Sequence, residues 1–270
     1  MRIIVLCNKD LASCVALNYL LPALASHDLC VFMSARVGGQ SKVDNRPADL
    51  LRLQFYEQQL FNDILFPLLA VSHRDKQTQL CSFTQLSDLH NVSMQELNGI
   101  NNPEGLRLVA SKAPDLMLSI RYGAILKEAV LAIPKIGVLN LHSGLLPAYK
   151  GVMATFRALL QGDSEIGSTL HWIDDSSIDT GRIITKTAIP VVTGKSYLWH
   201  VLALYEGGCK PMVAAVDALS RGESIESTPQ PAGGNYFSFP TTDELKAFDE
   251  AGWKLVDAKE IEQLAKRFMQ

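Results

Sequence analysis

The chain has 270 residues, 47% of them hydrophobic and 20% charged, with a net charge of -3 at pH 7. That balance gives no basic surface for a general electrostatic grip on nucleic acid, and no apolar run approaches the ~20 residues of a membrane span. Cys7, Cys14, Cys30, Cys81 and Cys209 are an odd set without CxxC spacing. They read as small buried hydrophobes of a cytoplasmic protein rather than as zinc ligands or a disulfide framework.

The N-terminal residues run directly into an apolar stretch, with no signal peptide expected. Arg2–Cys7 reads as a buried parallel strand, 11–24 as a helix with Asp10 at its N-cap, and Leu29–Ser34 as a second strand. A β-α-β start of this kind predicts an α/β fold: a Rossmann-like open twisted sheet with flanking helices. Residues 34–48 form an expected loop, 49–69 a helix, 80–84 a short strand and 101–112 a helix with Pro103 near its start. Leu116–Ile120 is the next buried strand, 126–133 a short helix closed by Pro134, and 138–141 a further strand. A helix over 152–161 follows Gly151. Residues 168–173 and 182–190 pair as strands around an acidic loop. A long helix is expected over 196–219, with Gly207, Gly208 and Pro211 as potential breaks, then two short helices over 242–251 and 258–269. The composition shift near Pro190–Gly194 divides the chain into a Rossmann-like domain, 1–192, and a small helical and loop-rich C-terminal region, 193–270.

The strand ending "VLNLH" carries Asn140 and His142 where packing asks for apolar side chains. Residues two apart on a strand share a face, so both project together near its C-terminal end. Open α/β sheets place ligand crevices there. An amide N–H can stabilise a developing oxyanion, and an imidazole can move a proton, which suits acyl or one-carbon transfer. An Asn-x-His pair alone more often satisfies backbone groups in a buried turn. Downstream, "HWIDDSSIDTGRII" places Asp174, Asp175 and Asp179 in one short segment. Asp179 stands in a turn sequence, where a carboxylate could orient His142; solvated loop acids are the plainer alternative.

Taken together, "NLHSGLLPAYKG" and, some forty residues on, "IDTG" resemble the N10-formyltetrahydrofolate-dependent formyltransferases. Their hallmark is Asn-x-His-x-x-x-Leu-Pro followed by a distant Asp in a turn; it maps to Asn140, His142, Leu146, Pro147 and Asp179. "APDLMLSIRYGAIL" resembles the family's strand before its folate pocket. The resemblance covers about residues 113–190. It implies formyl transfer from N10-formyltetrahydrofolate to a primary amine. Asn140 would hold the oxyanion, protonated His142 would assist, and Asp179 would fix His142 and help remove the amine proton. It implies a folate cleft between Arg121, Tyr122, Gly123, Ile125 and Leu126 on one side and Asp174 and Asp175 on the other, and no metal. Gly144 and Lys150 depart from the family's usual Ser and Arg beside the site and are candidates for acceptor binding.

The first loop, Cys7-Asn8-Lys9-Asp10-Leu11, lacks the glycines of a backbone phosphate cradle, which disfavours glycinamide ribonucleotide, although Lys9 could meet an anion. The modest, non-basic C-terminal region disfavours methionyl-tRNA. The ending "GGNYFSFPTTDELKAF" is similar to sugar-nucleotide N-formyltransferases. That resemblance implies a dTDP- or UDP-linked amino sugar, with Tyr236 the candidate base-stacking residue beside Phe237 and Phe239; ordinary packing is the alternative for all of these rings. No nucleic acid or membrane partner is expected, and a homodimer is an open expectation. Hydroxyornithine as acceptor, hydrolysis of formyltetrahydrofolate, and a non-catalytic binding module are the competing readings. Among the remaining histidines, His171 on the strand beside the acidic loop is the one placed to support the site.

Overall fold

The computed structural model describes residues 1–35, 46–71 and 80–269. Most of the loop expected over 34–48 therefore lies outside the described residues. Among those described, a seven-stranded sheet runs in the order β3-β2-β1-β4-β5-β7-β8. Its strands are β1 (Arg2–Asn8), β2 (Asp28–Ser34), β3 (Ser93–Glu96), β4 (Leu116–Ile120), β5 (Gly137–His142), β7 (Glu165–Trp172) and β8 (Ile183–Pro190). The first five are parallel; β7 and β8 add as an antiparallel pair. A short parallel ribbon pairs β6 (Tyr149–Gly151) with β9 (Asn235–Phe237). The sheet with its flanking helices is the expected Rossmann-like α/β fold.

Alternation along β1 explains the layers. Ile3, Val5 and Cys7 enter one hydrophobic core, and Ile4 and Leu6 the other. The larger core holds α1 (Leu11–Ala23) and α8 (Tyr197–Ser220). The smaller is closed by residues such as Val109 on α5 (Pro103–Ser111) and Val130 on α6 (Glu128–Leu131). The potential breaks in α8 do not break it. Gly208 instead lets the helix approach the sheet, because a Cβ there would meet Ser168 Oγ at 2.5 Å. From the C-terminal region, Phe268 on α10 (Ala258–Met269) packs against Phe61 and Phe66, with ring centroids 5.7 and 5.1 Å apart.

The strand expected at 80–84 is instead a helix start. Ser82 and Gln85 form a reciprocal capping box for α4 (Phe83–His90), and the edge strand β3 comes after that helix. The helix expected over 49–69 runs as α2 (Ala48–Gln54), a π-helical segment Phe55–Leu65 and α3 (Phe66–Val71). Between α8 and α10 lies α9 (Thr242–Glu250), with Thr241 and Glu244 as its capping box. The remaining short helix, α7 (Ala154–Gln161), follows the loop after β5.

Candidate functional site

The carboxyl edge of the parallel strands opens into a cavity of ≈ 380 Å³. Asn140 and His142 leave the end of β5 on one face, as their spacing requires. In the antiparallel register with β7, Asn140 lies opposite His171, and His142 opposite Thr169. Asp179 reaches the same point from the turn after β7, with its backbone in the left-handed region at φ 54.

These four side chains form one network. His142 Nε2 lies 2.7 Å from the Tyr149 carbonyl, and its Nδ1 lies 3.5 Å from Asp179 Oδ2. A carbonyl only accepts, so Nε2–H donates to Tyr149 and the Nδ1 edge is turned toward the carboxylate. His171 Nδ1–H likewise donates to the Trp172 carbonyl at 2.7 Å. Its Nε2 lies 3.0 Å from Asn140 Nδ2 and 3.6 Å from Asp179 Oδ1. The Gly151 N–H donates to Asp179 Oδ2 at 2.8 Å. Burial by itself would raise the Asp179 carboxyl. The His142 ring, the His171 ring 3.6 Å away and the Gly151 amide outweigh it and hold the group at about 2. Asp179 is therefore a carboxylate throughout the neutral range.

Gly144 fixes the loop beside this network: a Cβ there would lie 2.5 Å from Ala154 Cβ and 2.8 Å from His142 Nε2. The segment Gly233–Phe237 returns alongside. Lys150 Nζ donates to the Gly233 carbonyl at 3.0 Å, and Lys150 pairs with Tyr236 in the β6–β9 ribbon. Tyr236 lines the cavity and is 57% exposed, whereas Phe237 stacks against Tyr149 with ring centroids 6.1 Å apart. Phe239 also lines the cavity.

Arg121, Tyr122, Gly123, Ile125, Leu126 and Asp175 share the cavity wall with Asn140, His142 and Asp179. Tyr122 is anchored by its hydroxyl on the Leu97 carbonyl, and the Gly123 N–H by Ser34 Oγ at 2.8 Å. Besides Gly144, three of the expected residues stand apart from that wall. Asp174 turns to Arg182, 2.8 Å away. Lys9 pairs with Glu96 at 2.7 Å on the surface, and Lys150 is tied to Gly233.

Arg121 is held in a partly buried triad that sequence reading did not foresee. Its Nε lies 2.9 Å from Asp10 Oδ2 and its guanidinium 3.3 Å from Glu57 Oε1. Asp10 doubles as the N-cap of α1, accepting from the Ser13 N–H at 2.8 Å. Burial pushes the Glu57 carboxyl well above the ordinary carboxylate range, with Asp10 adding to the rise and Arg121 opposing it. A raised carboxyl binds a proton in the folded state that it loses on unfolding, so its contribution to stability falls as pH rises. Glu57→Gln removes that slope. Urea unfolding should find the variant gaining on the wild type by on the order of 1 kcal/mol between pH 5 and pH 7.5. Parallel stability curves across that range would refute the assignment.

Comparison with known proteins finds a family likeness for the segment that carries this geometry. Residues 70–198 match the formyl transferase family model. That matched segment is just under half of the chain. It is 35% identical over 154 residues to methionyl-tRNA formyltransferase of Aromatoleum aromaticum, covering 56% of this chain and 47% of the relative. The Burkholderia vietnamiensis enzyme is 34% identical over 131 residues, covering 48% and 40%. The chain thus spans less than half the length of these curated formyl transferase relatives. Among solved structures, the N-formyltransferase from Helicobacter canadensis in complex with folinic acid and dTDP-3-aminofucose superposes with a TM-score of 0.58 at 16% identity, over 96% of this chain and 82% of that one. Glycinamide ribonucleotide transformylase 1 from Symbiobacterium toebii gives a TM-score of 0.57 at 16% identity, over 86% and 94%. These likenesses share the formyl transferase fold. No helix among the described residues is long and apolar enough to cross a membrane, and no group of His, Cys, Asp and Glu among them is arranged to hold a metal ion.

Proposed function

We propose that the chain transfers the formyl group of N10-formyltetrahydrofolate to a primary amine. The observation that carries this reading is the Asn140–His142–Asp179–His171 network at the floor of a cavity. Arg121–Leu126, Ile173 and residues 175–179 line that cavity. The wall suits the folate. Ile125 is 54% exposed beside buried Leu126, giving apolar surface for a flat ring. Segment 121–126 lies outside helix and strand, leaving backbone edges for the ring's polar rim.

In the reaction the amine nitrogen bonds to the formyl carbon while the bond from that carbon to N10 breaks. The amine proton leaves, and N10 takes one up, giving a formamide and tetrahydrofolate. Asn140 has one amide hydrogen directed to His171 and a second for the carbonyl oxygen as it gains charge. His142 adds positive charge when protonated, with Asp179 beside its Nδ1. Asp179 steadies both imidazoles and, through them or water, receives the amine proton.

The acceptor we favour is a small amine carried on a nucleotide, a dTDP- or UDP-linked amino sugar. The exposed ring of Tyr236 at the cavity wall gives a base a face to stack on. Methionyl-tRNA is the second reading, favoured by the identity to methionyl-tRNA formyltransferases. Incubation with N10-formyltetrahydrofolate and a panel of dTDP- and UDP-amino sugars, hydroxyornithine, glycinamide ribonucleotide and methionyl-tRNA separates them. A mass gain of one formyl group on an amino-sugar nucleotide is expected. Formylation of methionyl-tRNA alone would overturn the acceptor, and tetrahydrofolate release without any acceptor would indicate a hydrolase.

A further inference from the structure

We propose that Gln230 is a positioning residue that sets Asp179 against the two imidazoles. This rests on the formyl-transfer reading of the site. Gln230 lies in the stretch between α8 and β9, far along the chain from the acidic turn. Its Nε2 donates to the Asp179 carbonyl at 2.8 Å and to the Gly181 carbonyl at 2.8 Å. Carbonyls only accept, so the amide orientation is dictated and both of its hydrogens are spent on the two sides of the turn. Its Oε1 is buried without a partner among the described residues, so the side chain serves this turn and little else.

The turn has features that call for such a clamp. Asp179 adopts a left-handed backbone, φ 54, uncommon for a residue with a side chain. Gly181 presses on the Trp172 carbonyl so closely that a Cβ would overlap it. The carboxylate must meet three partners at once: Gly151 N–H at 2.8 Å, His142 Nδ1 at 3.5 Å and His171 Nε2 at 3.6 Å. Rotating the peptide planes around Asp179 would swing the carboxylate off all three. Gln230 fixes those planes, and its own backbone is fixed nearby. Thr228 and Ile183 exchange N–H···O bonds at 2.8 Å on one side of it, and Gly234 closes on the Pro147 carbonyl on the other. The stretch from Thr228 to Phe237 thus couples the Asp179 turn to the loop bearing Gly151.

The test compares wild type with Gln230→Leu, which removes both donors, and Gln230→Glu, which keeps the shape but turns acceptors on the carbonyls. Three quantities are read: kcat, affinity for 5-formyltetrahydrofolate as a stable probe, and hydrogen exchange of the Gly151 amide. For Gln230→Leu we expect kcat to fall about a hundredfold, as for a misplaced reacting group, with probe affinity within about twofold and Gly151 exchange faster. Gln230→Glu should regain activity as pH falls, because a protonated carboxyl donates one hydrogen bond; that acid-side recovery is absent from Gln230→Leu. A lowered Tm with wild-type kcat and unchanged Gly151 exchange would overturn the proposal and leave Gln230 a tail anchor. If Gln230→Leu does not fold, the Glu variant alone decides by its pH profile and Gly151 exchange. A wild type without formyl transfer would defeat the reading of the reaction, while Gly151 exchange would still report whether Gln230 places the carboxylate.

Discussion

Asn140→Ala is expected to lower kcat about a hundred- to a thousandfold, the usual cost of losing one oxyanion donor, while 5-formyltetrahydrofolate affinity stays within about twofold. Asn140 is pinned in two ways. Its backbone is in β5, between β4 and β7, and its Nδ2 lies 3.0 Å from His171 Nε2. Because His171 Nδ1–H is committed to the Trp172 carbonyl, a neutral His171 offers Nε2 as an acceptor and so holds the Asn140 NH₂ in a defined orientation. The second amide hydrogen is then preorganised, without reorganisation when charge develops. Asn140→Asp keeps the shape but puts an acceptor there, and should be at least as damaging. Steady-state kinetics with parallel calorimetric titration of the probe checks this. An alanine variant with near-normal kcat would remove Asn140 from the mechanism.

Asp179→Asn should lower kcat by about two to four orders of magnitude, the range for lost acid–base assistance, and should also change the acid sensitivity of the fold. The carboxylate spends one oxygen on Gly151 N–H and His142 and turns the other to His171. An amide keeps one acceptor for Gly151 but gives up the negative charge beside both imidazoles. The stability effect follows from the depressed carboxyl. A group moved from 3.8 to about 2 stabilises the fold by about 2 kcal/mol above its unfolded value, and loses that as pH falls through the folded one. Wild type should therefore lose about 2 kcal/mol more than the Asn variant between pH 5 and pH 2, measured by urea unfolding. An equal loss in both would mean that Asp179 is not held as an ion.

Much of the layout is legible in sequence because it is local. The strand-helix-strand start, the shared face of Asn140 and His142, and the bounds of α10 all follow from periodicity and capping over a few residues. The strand wrongly expected at 80–84 has the same origin: a short apolar run hid the Ser82–Gln85 capping box. What stayed hidden is long-range. Arg121 meets Asp10 and Glu57 across 111 and 64 positions, and Gln230 meets Asp179 across 51. No spacing rule links residues so far apart. The β6–β9 ribbon is likewise built from two stretches of three residues each, too short to show an alternating pattern. His171 was recognisable as a neighbour of the acidic loop, but its contact with Asn140 depends on the register between β5 and β7.

The most direct test of the central claim follows an isotopic label in the formyl carbon of N10-formyltetrahydrofolate, using wild type and Asn140→Ala with and without an amine acceptor. The account predicts label in a formamide product only when acceptor is present, and about a hundred- to a thousandfold more slowly with Asn140→Ala than with wild type. Label recovered as formate without acceptor, or transfer undiminished in Asn140→Ala, would contradict it.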